Sequence, residues 1–266
     1  GSQEDVDSLI CMGAEFLQGD ILDYDLLCKF AKDVDCIIHL AAKSDVSESV
    51  INPEITNKVN VEGTANVVNC CVQNKIKKII FASSAAVYGD CNDTITENSK
   101  TNPQSPYGQS KLDAEKIIEK TCKENNIDYT IFRIFNVYGK GQNIQYAGVI
   151  SKFLENISQK KPLVIYGDGE QTRDFISIHD VIKAFDCAVI SNNNGTYNIG
   201  TGKSLSINDL VKIIFEVFGK KLDVLHKDAK KGDIKDSMVD VSLAKTELGF
   251  VAKGSLKKEL ASIYHE

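Results

Sequence analysis

The chain has 266 residues, 42% of them hydrophobic, and a formal net charge of −6, which allows one large domain or two small ones with a sizeable core. The acidic balance and the lack of a basic block argue against an extended nucleic-acid surface, and no apolar run reads as a membrane span or a secretion signal. Its 8 cysteines show no CxxC spacing and no clustering with the 4 histidines, a pattern of buried reduced thiols in a cytoplasmic protein rather than a metal site or a disulfide frame. In chain order, segments of helical period at 24–32, 55–73 and 106–125 alternate with β-branched apolar runs at 34–41, 77–83 and 129–135. That alternation predicts an α/β fold, a parallel sheet covered on both faces. Regularity weakens after about residue 140, where a smaller second lobe is expected, with parts of the chain returning to the first. There, helices are predicted at 147–159, 179–191, 207–218 and 256–264 and strands at 162–166 and 196–199. Ser177 and Ser206 each stand three residues before an aspartate, the spacing of a capping box, so His179 reads as a first-turn helix residue rather than a metal ligand.

The segment Tyr107-Gly108-Gln109-Ser110-Lys111 carries the chemistry. Ser105 can cap a helix and Pro106 can begin it, which places Tyr107 and Lys111 at i and i+4 on one face. A phenol titrates near pH ~10 when free, and a fixed ammonium favours its anion, so Tyr107 is predicted to act as a general base helped by Lys111. A lone Y-x-x-x-K recurs by chance. Here it follows an apolar run that ends in Ser83-Ser84, one strand-to-helix unit upstream.

Nine short segments then stand in one order: Gly19-Asp20-Ile21, His39-Leu40-Ala41-Ala42, Asn60-Val61-Glu62-Gly63-Thr64, the Ser83 to Gly89 run, Tyr107 to Lys111, Arg133 to Gly139, Tyr166-Gly167-Asp168-Gly169, Thr172-Arg173-Asp174-Phe175 and Gly232-Asp233-Ile234. In that order they resemble the extended short-chain dehydrogenase/reductases, in their nucleotide-sugar 4-epimerase branch, over nearly the whole chain. The resemblance implies a doubly wound, Rossmann-like sheet with a smaller α/β substrate-binding lobe. It assigns 1–140 plus about 174–200 to an NAD-binding domain, and 141–173 plus about 201–266 to a nucleotide-sugar-binding lobe.

By that resemblance, Asp20 and Ile21 lie against the adenine of NAD, and Leu40, Ala41 and Ala42 form the strand end where the cofactor crosses the sheet. From the residues alone, Asp20 reads equally well as an N-terminal partner of the following helix. Asn60 matches a family asparagine near the cofactor, while its own context reads as a helix-surface amide. Lys43 lies beside a phosphate-contacting position but reads better as a solvated lysine. Ser84, with Ser83 as the rival position, would relay the proton of the reacting sugar hydroxyl to Tyr107, and Lys111 would also hold the nicotinamide ribose. Relatives that eliminate water carry an acid just after this serine; Ala85 and Ala86 cannot transfer a proton, which favours C4 epimerisation of a UDP-sugar through a 4-keto sugar. The resemblance extends substrate contacts to Asn136, Gly148, Val149, Val164, Tyr166, Arg173, Lys230, Asp233 and Ser237. Arg173 would grip diphosphate oxygens, its alternative being a surface pair with Asp174. Lys230 replaces the family's arginine fork by a point charge. The small Ser237, where glucose-restricted relatives often carry tyrosine, would leave room for an N-acetyl group, or is simply a turn or strand serine. A homodimer through the helices at 55–73 and 106–125 is expected, with neither a nucleic-acid nor a membrane partner.

One departure concerns the start. The family opens with a strand and a glycine-rich turn that binds the pyrophosphate, and the sequence shows no counterpart, at least about 30 residues. Weak NAD affinity of residues 1–266 is therefore expected.

Overall fold

The computed structural model of the chain describes residues 3–91, 93–140, 142, 148–219, 221–229 and 237–264. In chain order its elements are α1 (Gln3–Cys11), α2 (Tyr24–Phe30), β1 (Cys36–His39), α3 (Val46–Ile51), α4 (Pro53–Asn57), α5 (Gly63–Asn74), β2 (Lys78–Ser84), α6 (Pro106–Asn125), β3 (Asp128–Ile134) and β4 (Asn136–Tyr138). There follow α7 (Val149–Ser158), β5 (Leu163–Tyr166), β6 (Thr172–Ser177), α8 (Ile178–Ile190), β7 (Gly195–Ile199), β8 (Ser204–Ser206), α9 (Ile207–Phe218), β9 (Val224–Lys227), α10 (Ser242–Leu248) and α11 (Leu256–Tyr264).

The β-branched runs do what their period demands. Strands β1, β2, β3 and β7 lie side by side in that order, all parallel. Side chains alternate between the faces. Ile79 and Phe81 of β2 pack with Val67, Val68 and Cys70 of α5 and Ile118 of α6. Ile80 and Phe132 pack on the opposite face with Val181 and Ala184 of α8. This is the expected α/β sheet covered on both faces. The β1 strand is shorter than the predicted run 34–41 because pairing stops at His39 opposite Phe81. Beyond it Leu40 is 61% exposed.

A separate core gathers Phe153 and Ile157 of α7, Leu163 and Ile165 of β5, Leu210 and Ile214 of α9 and Leu260 of α11. Beside it β6 pairs in parallel with β4 and antiparallel with β8, and β5 pairs with β9. Several of these strands escaped the sequence reading, β6 among them, because three to six residues carry too little periodicity to be told from a loop. The predicted helix 55–73 is interrupted: α4 and α5 are joined by a π-helical turn over Lys58–Glu62. Such a turn inserts a residue and rotates the face that follows.

Candidate active site

The end of β2 and the start of α6 meet because both termini are locally specified. Ser105 caps α6, its hydroxyl accepting from the Gly108 N–H at 3.1 Å, with Pro106 in the first turn. Gly108 is needed for close approach, since a Cβ there would stand 2.6 Å from the Ala86 carbonyl oxygen. Tyr107 is thereby brought to the turn that follows Ser84. Its N–H donates to the buried Ser49 hydroxyl of α3 at 3.1 Å, and its carbonyl accepts from the Ser110 hydroxyl at 2.8 Å.

Asn60 sits in the π-helical turn and is buried rather than on a helix surface. Its amide accepts from the Lys43 N–H at 2.7 Å and donates to the Lys43 carbonyl and the Ser110 hydroxyl, each at 2.9 Å. The asparagine thus latches the loop after β1 to the helix carrying Tyr107. Ser49 and Gly108 were not singled out by the sequence reading, and the Ser-Val pair at 49–50 or a glycine after tyrosine carries no local signal of such contacts.

The two candidate serines separate cleanly. Ser83 is buried and donates to Glu115 at 2.5 Å. Ser84 lines a cavity of about 210 Å³ together with Tyr107, Ala85, Ala86, Asn136, Arg173 and Ser237. Among the described residues, no Asp or Glu lines it. Burial raises the Tyr107 phenol above its ordinary value, and a side-chain hydrogen bond with Ser84 pulls it back. The phenol thus stands above its ordinary value, not below it as expected. The Lys111 ammonium donates to the Ala82 carbonyl at 2.8 Å and lies 4.7 Å from the centre of the Phe81 ring, and burial brings its own pKa down to about 8.

A larger cavity, about 470 Å³, opens between α7 and β5. Asn136, Gly148, Val149, Val164, Tyr166 and Arg173 all line it, and Asn136 and Arg173 also line the smaller one, so these two residues stand where the cavities adjoin. Gly148 caps α7 without a side chain, and a Cβ there would meet nothing within 4 Å. The Asn136 amide donates to the Asp174 carbonyl at 3.1 Å, and an Arg173 Nη1 donates to the Thr172 carbonyl at 2.7 Å. Asp174 is not a surface partner for Arg173. It is fully buried, accepts from the Thr201 and Lys203 N–H groups, and burial raises its carboxyl. Ser237 is buried and tied at its backbone, its N–H donating to the Thr172 hydroxyl at 3.2 Å. Lys230 and Asp233 lie outside the described residues.

Toward the cofactor side, Asp20 is exposed and accepts from the Leu22 N–H at 2.9 Å; the cap of α2 is Asp23, not Asp20. Ile21 is half-buried, Ala41 is exposed and Ala42 half-buried at the carboxyl end of β1, where an open parallel sheet takes its ligands. These short side chains leave the strand end accessible, and Lys111 and Tyr107 stand at the ends of the neighbouring elements. Of these residues, Lys111 and Tyr107 carry the groups able to donate to the ribose of a dinucleotide at this strand end. Lys43 is a solvated lysine, 3.6 Å from Glu48.

The chain is 33% identical over 275 residues to a UDP-glucose 4-epimerase of Pasteurella multocida, covering 94% of this chain and 81% of that protein. Among solved structures it is similar to the UDP-N-acetylglucosamine 4-epimerase of Methanobrevibacter ruminantium in complex with UDP-N-acetylmuramic acid (TM-score 0.89, 37% identity, covering 92% of this chain and 80% of that one). It is also similar to the UDP-glucose 4-epimerase of Thermotoga maritima with UDP-glucose (TM-score 0.90, 32% identity, covering 93% and 82%). The profile of the NAD dependent epimerase/dehydratase family matches residues 2–200. With its parallel sheet, its Ser84–Tyr107 cavity and that match, the chain belongs to the NAD dependent epimerase/dehydratase family, whose cofactor is NAD.

Proposed function

We propose that this protein interconverts UDP-sugars that differ in configuration at C4, with N-acetylated hexoses within its range. The observation that carries the reading is the smaller cavity: Ser84 and Tyr107 face a space walled by Ala85 and Ala86, with no carboxyl group among its described lining. Removing water from a sugar requires an acid beside the leaving hydroxyl. Oxidation at C4 followed by return of hydride does not.

Bound NAD supplies the hydride acceptor and donor. The chain's own residues handle the proton and the pose. Ser84 bonds to the C4 hydroxyl and Tyr107 takes its proton; once the 4-keto sugar has turned and its C4 carbon has taken hydride back on the opposite face, Tyr107 returns the proton to the C4 oxygen. Lys111 would hold the nicotinamide ribose, with Leu40, Ala41, Ala42, Asp20 and Ile21 along the rest of the cofactor. Arg173 and Asn136, standing where the cavities adjoin, hold the diphosphate while the sugar turns, since a guanidinium can bond two phosphate oxygens at once. The cavity of about 470 Å³ takes the nucleoside against Val164 and Tyr166, with Gly148 and Val149 at the start of α7. Its size lies within the range usual for small-molecule sites. The buried Ser237 beside Ser84 and Tyr107 leaves space that a larger side chain would fill, and the similar UDP-N-acetylglucosamine 4-epimerase supports an N-acetyl group there.

The test is product analysis with NAD and UDP-glucose, UDP-N-acetylglucosamine or dTDP-glucose in parallel. The expected result is a C4-epimer from at least one UDP-sugar, with mass unchanged. Loss of 18 mass units from any of them, the mark of dehydration, overturns the reading.

A further inference from the structure

Tyr107 and Lys111 repeat at a period of four on α6, and the period continues to Glu115, which is only 4% exposed. Its carboxylate meets two other elements at once. The Ser83 hydroxyl of β2 donates to Oε1 at 2.5 Å. Arg133 of β3, itself buried, donates from Nε to both oxygens at 3.1 and 3.2 Å and from Nη2 to Oε2 at 2.7 Å. Behind this pair, Arg133 Nη1 donates to the Tyr88 hydroxyl at 3.0 Å, and that hydroxyl donates to Asn198 at 2.7 Å. Ser83, Arg133 and Asn198 are in register across β2, β3 and β7, so the polar groups form one buried row beneath the strand ends.

We propose that Glu115 is a positioning residue of this site: by joining Ser83 and Arg133 it fixes the strand end that carries Ser84 against the helix that carries Tyr107 and Lys111, and it serves as the counter-charge of the Lys111 ammonium. A buried ion pair is weak evidence of stabilisation, because apolar residues of the same volume often serve as well. Three donors on one carboxylate, one of them from the residue next to Ser84, instead specify a geometry. The second half of the role follows from what surrounds Lys111. Burial drives its ammonium down and the Glu115 charge pushes back up. Of the other groups facing it, His39 of β1 is neutral, its pKa brought to about 3 by burial and by Lys111 itself. Tyr107 is a phenol raised by burial, and Arg133 lies beyond Glu115 and is cationic. Among the described residues, Glu115 is the anion that acts on this lysine.

This rests on the roles of Tyr107 and Lys111 given above, and the experiment separates the two. In protein labelled at lysine ε-carbons, the Lys111 resonance is assigned by its loss in Lys111→Met and followed through a pH titration. The native midpoint is expected near 8. In Glu115→Gln, which keeps the shape but not the charge, it is expected to fall by about one unit. Turnover should fall about tenfold with KM little changed, as for a misplaced reacting group. Should Glu115→Gln not fold because Arg133 is left unpaired, the double variant Glu115→Gln/Arg133→Met removes both charges. It should move the midpoint in the same direction by less, since the repulsion from Arg133 goes too. A midpoint that stays at its native value, or rises, in a folded variant overturns the proposal. A chain that epimerises no UDP-sugar yet shows the lowered midpoint breaks the functional reading and leaves the Glu115–Lys111 coupling standing.

Discussion

Around Tyr107, the fold commits the bordering groups to one another: Ser49 takes its N–H, Ser110 its carbonyl, Asn60 holds Ser110, Lys111 reaches the Ala82 carbonyl, and Ser83 is bound to Glu115. Along the larger cavity the pattern is looser. Val149 and Val164 are half-buried, Gly148 and Tyr166 are exposed, and α7 begins without a side-chain cap. The contrast follows from what each end must do. A proton moves only over a hydrogen-bond length, so small displacements of its donor and acceptor are costly. A nucleotide is held by spread-out area and a few polar contacts, which tolerate adjustment.

The sharpest way to break this contrast is Tyr107→Phe, which removes only an oxygen. Turnover should fall by about 10³-fold with thermal unfolding unchanged; comparable turnover would show that the rigid end is not where the proton moves. Next comes Ser84→Ala, expected to cost about 10²-fold in kcat. Ser84 pulls the Tyr107 phenol down against burial, so its loss lets that pKa rise further, and the acid limb of the pH–rate profile should move to higher pH. An unmoved limb would assign it to another group.

On the looser side, Arg173→Ala should raise KM about 10–100-fold with a smaller change in kcat, the loss of charge-assisted bonds worth ~1.5–3 kcal/mol. Titration calorimetry with UDP alone checks whether the loss falls on the nucleotide diphosphate. Ser237→Tyr should lower turnover of an N-acetyl UDP-sugar about tenfold relative to its plain counterpart, by filling the smaller cavity. Equal losses on both would make Ser237 structural.

The smallest effect is on stability. The folded pKa of Lys111, about 8, lies below its ordinary 10.5, so between these values the unfolded chain binds more protons and stability rises with pH. The cost of burying the ammonium is therefore full below pH 8 and gone above 10.5. The stability of Lys111→Met relative to the native chain should fall by about 2–3 kcal/mol between pH 7 and 10.5, read by urea unfolding at each pH.

What the sequence alone determined is local or ordered along the chain. The Ser105 cap, the Pro106 start and the four-residue step from Tyr107 to Lys111 follow from helix geometry, which any short segment carries within itself. The parallel strands at 78–84 and 128–134 follow from their apolar runs, because a strand buried on both faces can hardly be polar. Partner choice was left to the tertiary structure. Whether Ser83 or Ser84 faces the cavity depends on strand register, where a one-residue step reverses the face. That Asn60 is buried depends on a π-helical turn that no periodicity announces, and that the Lys111 ammonium meets the Ala82 carbonyl depends on how α6 packs against β2. Side chains more than a few turns apart in sequence meet only through packing, and it is packing that sets the charges of this site.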